Sequence, residues 1–283
     1  MLSLACYVSY KNDISYLRAI VRANISTETS PKIFESINHW VYQNRGFRKN
    51  QGHFLFQSLG PTPVQVLNQG GDCTDKSILL MAMLESIGID STLVMLYDTD
   101  GRTPTHTVVE VRDGQFKAVA DPVYDLVFPN PNGGFYNIDE LRKNPALLPN
   151  RLDDLLQTRG ASNKIAFYKR INESYQFASP INWSKNELLK LTANILRRLG
   201  IEARDIRRPH FLDDPKLFIS ITLLSISLFF IILTYAFRNN QDLSSCKNEL
   251  LHWRITIMLK KRRSISLTIS LLHKILPGLC TWN

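Results

Sequence analysis

The stretch Leu217–Phe237 reads LFISITLLSISLFFIILTYAF, with no charge, no proline and no glycine. At 1.5 Å per residue such a helix is about 30 Å long, the thickness of a bilayer's hydrocarbon core. Soluble helices of that length keep a polar face, and this one has none. The run predicts one transmembrane helix and confines a globular domain to the residues before it. Asp213-Asp214-Pro215 mark its start and Arg238-Asn239-Asn240 its end. The chain carries a net charge of +9, of which the tail Arg238–Asn283, with eight basic and two acidic residues, holds +6. In that tail Lys260-Lys261-Arg262-Arg263 adjoins the aliphatic run Ile265–Leu279, which suits an anionic membrane surface or a solvated tail. Nucleic acid is not an expected partner, because no aromatic-interleaved basic face accompanies the cluster. His273, Lys274 and Pro277 argue against a second span. Arg204, Arg207, Arg208 and Lys216 precede the apolar run and Arg238 and Lys247 follow it, so the positive-inside rule leaves orientation open. Met1–Cys6 is too short and lacks the basic start of a signal peptide, so the expectation is a cytoplasmic domain with a C-terminal anchor.

The chemistry of the upstream domain concentrates in three places. Gly70-Gly71-Asp72-Cys73-Thr74-Asp75 stands directly before Ile78, Leu79, Leu80, Met81, Met83, Leu84 and Ile87, which are apolar on nearly every side and predict a buried helix stopped at Gly88. Asp72 is the expected N-cap, with Gly70-Gly71 turning the chain into it. Cys73 then lies at the helix N-terminus, where unpaired N–H groups and the helix dipole favour a thiolate, the nucleophilic form. Further on, the valine-rich runs Thr105–Arg112 and Gln115–Ala120 flank Asp113-Gly114, the signal for a hairpin closed by a two-residue type I′ turn. That turn would set Arg112 opposite Gln115 and His106 opposite Asp121, with Cβ atoms about 4.5–5.5 Å apart. A thiol, an imidazole and a carboxylate in this order provide a nucleophile, its base and the group that orients the base.

Gly-Gly-Asp-Cys-Thr-Asp with its helix ending in Leu84-Glu85-Ser86-Ile87-Gly88-Ile89, a strand carrying His106, and then Val119-Ala120-Asp121-Pro122 resembles the core of the transglutaminase-like cysteine proteins. The resemblance covers roughly Ile33 to Phe128, and Ile37–Tyr42 is similar to the helix that precedes the cysteine in that family. It implies an α+β, papain-like fold in which the helix bearing the cysteine packs on an antiparallel sheet. It also implies Cys73 as nucleophile, His106 as general base and acid, and Asp121 as orienter. Family members include cross-linking enzymes, peptidases, amidases and proteins that have lost activity. Here His106-Thr107-Val108 lacks the aromatic residue that often follows the histidine, and Phe116 is the nearest aromatic before the aspartate, so the walls of the cleft differ.

The expected organisation is an N-terminal segment over 1–32, a catalytic core over 33–160, a helical extension over 161–216, the span over 217–237 and a basic tail over 238–283. Hydrolysis of a protein or peptide amide through a thioester is the favoured activity. Transamidation of glutamine side chains and an inactive, membrane-tethered binding module remain alternatives. The backbone N–H of Cys73 is the natural first oxyanion donor, with Gln65 and Gln69 as amide candidates for the second. His39 and His53 read as surface or packing histidines, and Trp40 as a core or helix-face residue. Cys6, Cys73, Cys246 and Cys280 are too scattered for a disulfide scaffold or a zinc ribbon, and no glycine-rich phosphate loop occurs, so neither metal nor cofactor is expected. Pro129–Gly134 reads as a loop at the end of the sheet. Ser184 and Glu187 suggest a capping box, Trp183 and Leu188 a hydrophobic staple, and Leu188, Leu191, Ile195 and Leu199 an apolar stripe expected to pack on the core.

Overall fold

A computed structural model describes residues 1–25, 32–49, 52–98, 100–114, 116–159, 174–235 and 237–238. In chain order its helices and strands are α1 (Leu2–Asn24), α2 (Lys32–Gln43), α3 (Pro63–Gln69), α4 (Cys73–Ser86), β1 (Asp90–Tyr97), β2 (Pro104–Asp113), β3 (Phe116–Asp121), β4 (Leu126–Val127), α5 (Ile138–Lys143), α6 (Leu147–Arg159), β5 (Ser174–Ser179) and α7 (Glu187–Arg198). A last helix, α8, runs over Pro215–Tyr235. The strands form one antiparallel sheet in the order β4-β3-β2-β1-β5. The architecture is the α+β one expected, with the helix that begins at Cys73 packed on an antiparallel sheet.

Helix α4 begins and ends where its residues dictate. The Asp72 carboxylate accepts from the N–H groups of Thr74 and Asp75 at 2.9 and 3.1 Å, and the Asp75 carboxylate accepts from Asp72 N–H at 3.1 Å, a reciprocal capping box. At the other end Gly88 takes φ +87°. Its N–H reaches Glu85 O at 2.9 Å and that of Ile89 reaches Leu84 O at 3.0 Å, the pair of bonds that closes a Schellman motif. Between these caps ten of the fourteen residues are buried, so this is a core helix on all sides. Tyr10, Ile14, Leu17 and Val21 of α1, at spacings of four, three and four, join the same core, with Phe34, Ile37 and Val41 of α2. Each such side chain, fully buried, contributes about 1.5–3 kcal/mol. Lys76, 2% exposed, is the exception that proves polar: its ammonium donates to the carbonyls of Val41, Tyr42 and Asn44 at 2.6, 3.2 and 3.1 Å. Those carbonyls belong to the C-terminal end of α2, where a cation satisfies orphan acceptors and meets the negative end of the helix dipole.

Alternation divides the sheet residues between two cores. Val109 and Val111 of β2 with Ala118 and Ala120 of β3 pack toward α1, α2 and α4. Val108, Val119, Val94 and Leu96 pack on the other face with Leu141 of α5 and Leu152 and Leu155 of α6.

Three local expectations differ from what forms. The β2–β3 pairing runs from Asp113↔Phe116 to Val109↔Ala120, two residues out of step with the predicted register. The strand extends through Asp113, and Gly114 rather than Asp113 adopts the left-handed conformation, at φ +59°. Helix α7 is capped by Asn186, whose side chain accepts from Leu189 N–H at 2.9 Å, not by Ser184. Trp183 donates to Ala203 O at 3.0 Å. The stripe of α7 is exposed rather than packed on the core. The loop at Pro129–Gly134 is closed by a bridge between Pro129 and Phe135.

The chain divides into two compact units, Met1–Leu223 and Leu224–Asn283. Within the first, the opening turns of α8 are tied to α1. Ser3 Oγ donates to Ser220 O and Ser220 Oγ to Ser3 O, both at 2.9 Å, and Lys216 Nζ donates to Asp13 Oδ2 at 2.5 Å. Helix α8 is long and apolar enough to cross a membrane, with a mean hydropathy of 2.6. Only 6% of its most apolar window is buried, which separates it from a core helix such as α4. The basic cluster at 260–263 and the aliphatic run after it lie outside the described residues.

Candidate active site

The approach to Cys73 is built on two glycines. Gly70 has φ +80°, and a Cβ there would come within 3.1 Å of Arg45 O. A Cβ on Gly71 would sit 2.3 Å from the Cβ of Asp75, so no side chain fits under the capping box. Phe47 bridges to Gly71, with Arg48 N–H donating to Gly71 O at 2.9 Å. Cys73 follows as the first residue of α4, half-buried. One turn on, Ser77 Oγ donates to Thr107 O at 3.2 Å, which ties the start of α4 to the residue after His106. Burial, reinforced by the charge of Asp72, pushes the Asp75 carboxyl up to about 6, while the Asp72 N–H it accepts works in the opposite direction.

His106 and Asp121 are brought together. Nε2 of His106 lies 2.7 Å from Asp121 Oδ2, with the histidine 5% exposed and the aspartate fully buried. The other oxygen, Asp121 Oδ1, accepts from the N–H groups of Val123 and Tyr124 at 2.9 and 3.3 Å, so both oxygens of the buried carboxylate are held. The contact survives the shifted register because a slide of two residues keeps every side chain on its face. Continued outward, the observed register sets Asp121 opposite Val108, and His106 is its diagonal neighbour on the same face. The His106 ring stands 5.3 Å from that of Tyr124, on the side of the second core, whereas Thr107 faces α4.

The two amide candidates separate. Gln65 is committed to the cap of α3: its Oε1 accepts from Thr62 N–H at 2.8 Å and its Nε2 donates to His53 O at 3.4 Å. Gln69 lines a cleft of about 510 Å³ with Arg48, Lys49, Asn68 and Gly70, just before the cysteine.

One polar cluster escaped the reading of the sequence. His39 Nδ1 lies 2.7 Å from Asp125 Oδ2, which also accepts from Arg159 at 2.8 Å, and Asn38 Nδ2 donates to Asp125 Oδ1 at 3.4 Å. Asp125 has φ +54°, a conformation that Asp tolerates better than most residues. His39, Asp125 and Arg159, with Lys32, Glu35 and Trp40, line a cleft of about 450 Å³, while Asn38 is buried behind it. No local signal announces the pair, since 86 residues separate its members. Among the described residues no group of three or more His, Cys, Asp or Glu side chains is placed to hold a metal ion.

No family model matches the sequence, and no curated protein matches it. Solved structures similar to it include a candidate cysteine protease of Cytophaga hutchinsonii, at 16% identity over 43% of this chain and 40% of that one, with a TM-score of 0.34. Legionella pneumophila LapG is similar at 14% identity over 44% of this chain and 67% of that one, with a TM-score of 0.26. The chain thus spans less than half the length of the Cytophaga protein, and both likenesses are remote.

Proposed function

We propose that the protein is a transglutaminase-like, cysteine-dependent acyl-transfer enzyme, in its simplest form a peptidase or amidase, anchored by α8 with its domain on the cytoplasmic side. The observation that carries this reading is the buried His106–Asp121 pair at 2.7 Å, at the end of a strand stitched to the first turns of α4. Cys73 lies one turn, about 5.4 Å along α4, before the Ser77 that bonds Thr107, and the reading requires the His106 ring, which stands on the other face of the strand, to turn toward it. With Nε2–H donated to Asp121, Nδ1 is the nitrogen that exchanges a proton with the thiol. The Cys73 sulfur attacks the carbonyl carbon of a protein or peptide amide. The carbon–nitrogen bond breaks as the imidazolium protonates the leaving amine, and a thioester remains. Water, deprotonated by His106, then releases the acid and restores the thiol. Asp121 stabilises the imidazolium formed between these steps. The Cys73 N–H, first in α4, faces the developing oxyanion, with Gln69 as the second donor. None of these steps requires a metal or cofactor.

A non-catalytic binding module draws on one observation, that a cleft of about 450 Å³ beside α2 is lined by His39 and Asp125 rather than by Cys73. Thiol chemistry decides between the two. In the active enzyme a peptide-amide-mimicking covalent probe labels Cys73 faster than the other cysteines near neutral pH, and Cys73→Ala abolishes that labelling. Equal, slow labelling of all four cysteines would overturn the enzymatic reading. An amine acceptor competing with water for the thioester would identify the transamidase instead.

A further inference from the structure

Helix α7 exposes the face on which its sequence places its largest side chains. Leu188, Leu191, Ile195 and Leu199 follow at three- and four-residue spacing and are 71, 57, 48 and 69% exposed. The helix buries Ala193, on a different side. A contiguous apolar stripe of this kind on a folded domain marks an interaction surface. Basic residues outnumber acidic ones around it: Lys190, Arg197 and Arg198 stand on the helix, with Lys185 before it and Arg204 after, against Glu187, Glu202 and Asp205, and Glu187 pairs with Lys190 at 2.7 Å. An apolar face with Arg198 at its edge and Lys190 and Arg197 on the opposite, polar face is the composition of a helix that lies in the plane of an anionic bilayer. The chain supplies the proximity. Residues 200–214 join α7 to Pro215 and, fully extended, reach about 50 Å, so a spanning α8 keeps α7 near a lipid surface at high effective concentration.

We propose that α7 is an interfacial helix whose Leu188-Leu191-Ile195-Leu199 face enters the boundary between headgroups and acyl chains of an anionic bilayer. Lys190, Arg197 and Arg198 lie over the phosphate- and carboxylate-bearing headgroups. This rests on the reading of α8 as a membrane span. The two are separable with the full chain, its four native cysteines replaced by alanine and one new cysteine at a time labelled with an environment-sensitive fluorophore. The sites are Leu191→Cys on α7, Leu228→Cys on α8 and Lys117→Cys on the exposed side of β3. The protein is reconstituted in phosphatidylcholine vesicles with about 30% phosphatidylserine and brominated acyl chains. The fluorescence at Leu191→Cys and Leu228→Cys is expected to fall about twofold or more, with little change at Lys117→Cys. Adding Arg197→Gln and Arg198→Gln weakens the quenching at Leu191→Cys and leaves that at Leu228→Cys unchanged. Quenching at Leu228→Cys without quenching at Leu191→Cys overturns the proposal and leaves the span standing. No quenching at either site overturns both. A blue shift at Leu191→Cys that depends on protein density and not on lipid bromine shows a second copy covering the stripe, and also overturns it.

Discussion

At the scale of single residues, Asp121 and Asp125 offer a direct comparison, since both are buried aspartates bonded to a histidine. Asp121→Asn keeps side-chain size and a hydrogen-bond acceptor for Val123 and Tyr124 N–H, but the amide no longer stabilises a protonated His106. Acyl-enzyme formation is expected to fall by about two to four powers of ten, as when a triad orienter is altered. Asp125→Asn disturbs His39 and Arg159 and leaves that rate within about threefold, because it touches neither His106 nor Asp121. Single-turnover labelling of Cys73 with a covalent probe measures both, and equal losses would remove the special role given to Asp121. The Asp121 contact was legible because strand alternation tolerates a slide of two residues. The Asp125 contact was not, since it joins α2 to the segment after β3 through packing that no periodicity encodes. Asp75 adds a pH dependence. Its carboxyl is raised from 3.8 to about 6 by burial and the Asp72 charge, so the folded state holds its proton more tightly than the unfolded chain does. The stabilisation is complete below 3.8 and is lost as pH rises to about 6. Asp75→Asn, which retains an acceptor for Asp72 N–H, removes this share of the slope and makes the domain more stable above that range. Asp213 and Asp214, also raised chiefly by burial, keep their own contributions of the same sign. Denaturant unfolding from pH 4 to 7 reads the difference, and an unchanged slope in the variant would show that Asp75 does not titrate there.

At the scale of elements, the helices that carry their own caps were the readable ones. Asp72 and Gly88 delimit α4 from the sequence alone, because both caps are local chemistry. The hairpin was readable as an element but not in its register, since Asp113-Gly114 and the next pair both contain the glycine that the turn requires. The stripe of α7 was visible as a period, yet a period states only that a face is apolar and not what covers it. Lys76 was invisible for another reason: a lysine in an apolar run looks like a solvated residue until the end of α2 arrives to receive it. Lys76→Met tests that joint. The apolar side chain fills similar space but leaves the carbonyls of Val41, Tyr42 and Asn44 without their shared donor. A buried acceptor left unpaired costs about 1–3 kcal/mol, and some of that is regained by not burying an ammonium. The expected result is a loss of about 1–3 kcal/mol in urea unfolding, with hydrogen exchange accelerated most at the C-terminal turn of α2. A gain in stability would mean that the desolvation of the ammonium outweighs its three hydrogen bonds.

At the scale of the whole molecule, the sequence divides sharply at the apolar run, but the packing does not. The first compact unit continues through Leu223, eight residues beyond Pro215. Leu217 packs on the core that contains α4, Lys216 pairs with Asp13, Ser220 exchanges two hydrogen bonds with Ser3, and Arg208 pairs with buried Asp213 at 2.6 Å. A run of twenty-one uncharged, mostly apolar residues signals a membrane helix by composition, and nothing in composition shows that its first two turns also serve the domain. Two truncations separate these roles. Ending the chain after Ile206 discards all four contacts, whereas ending it after Leu223 keeps them and removes the most exposed part of α8. The lost packing and ion pairs amount to about 2–3 kcal/mol. For a domain of this size, at about 2–4 °C per kcal/mol, the shorter fragment should melt about 4–12 °C below the longer one. Mild detergent holds both in solution, and circular dichroism follows the melt. Equal melting temperatures would show that the start of α8 belongs to the membrane alone, and that α1 is fixed to the domain entirely by its stripe against α4.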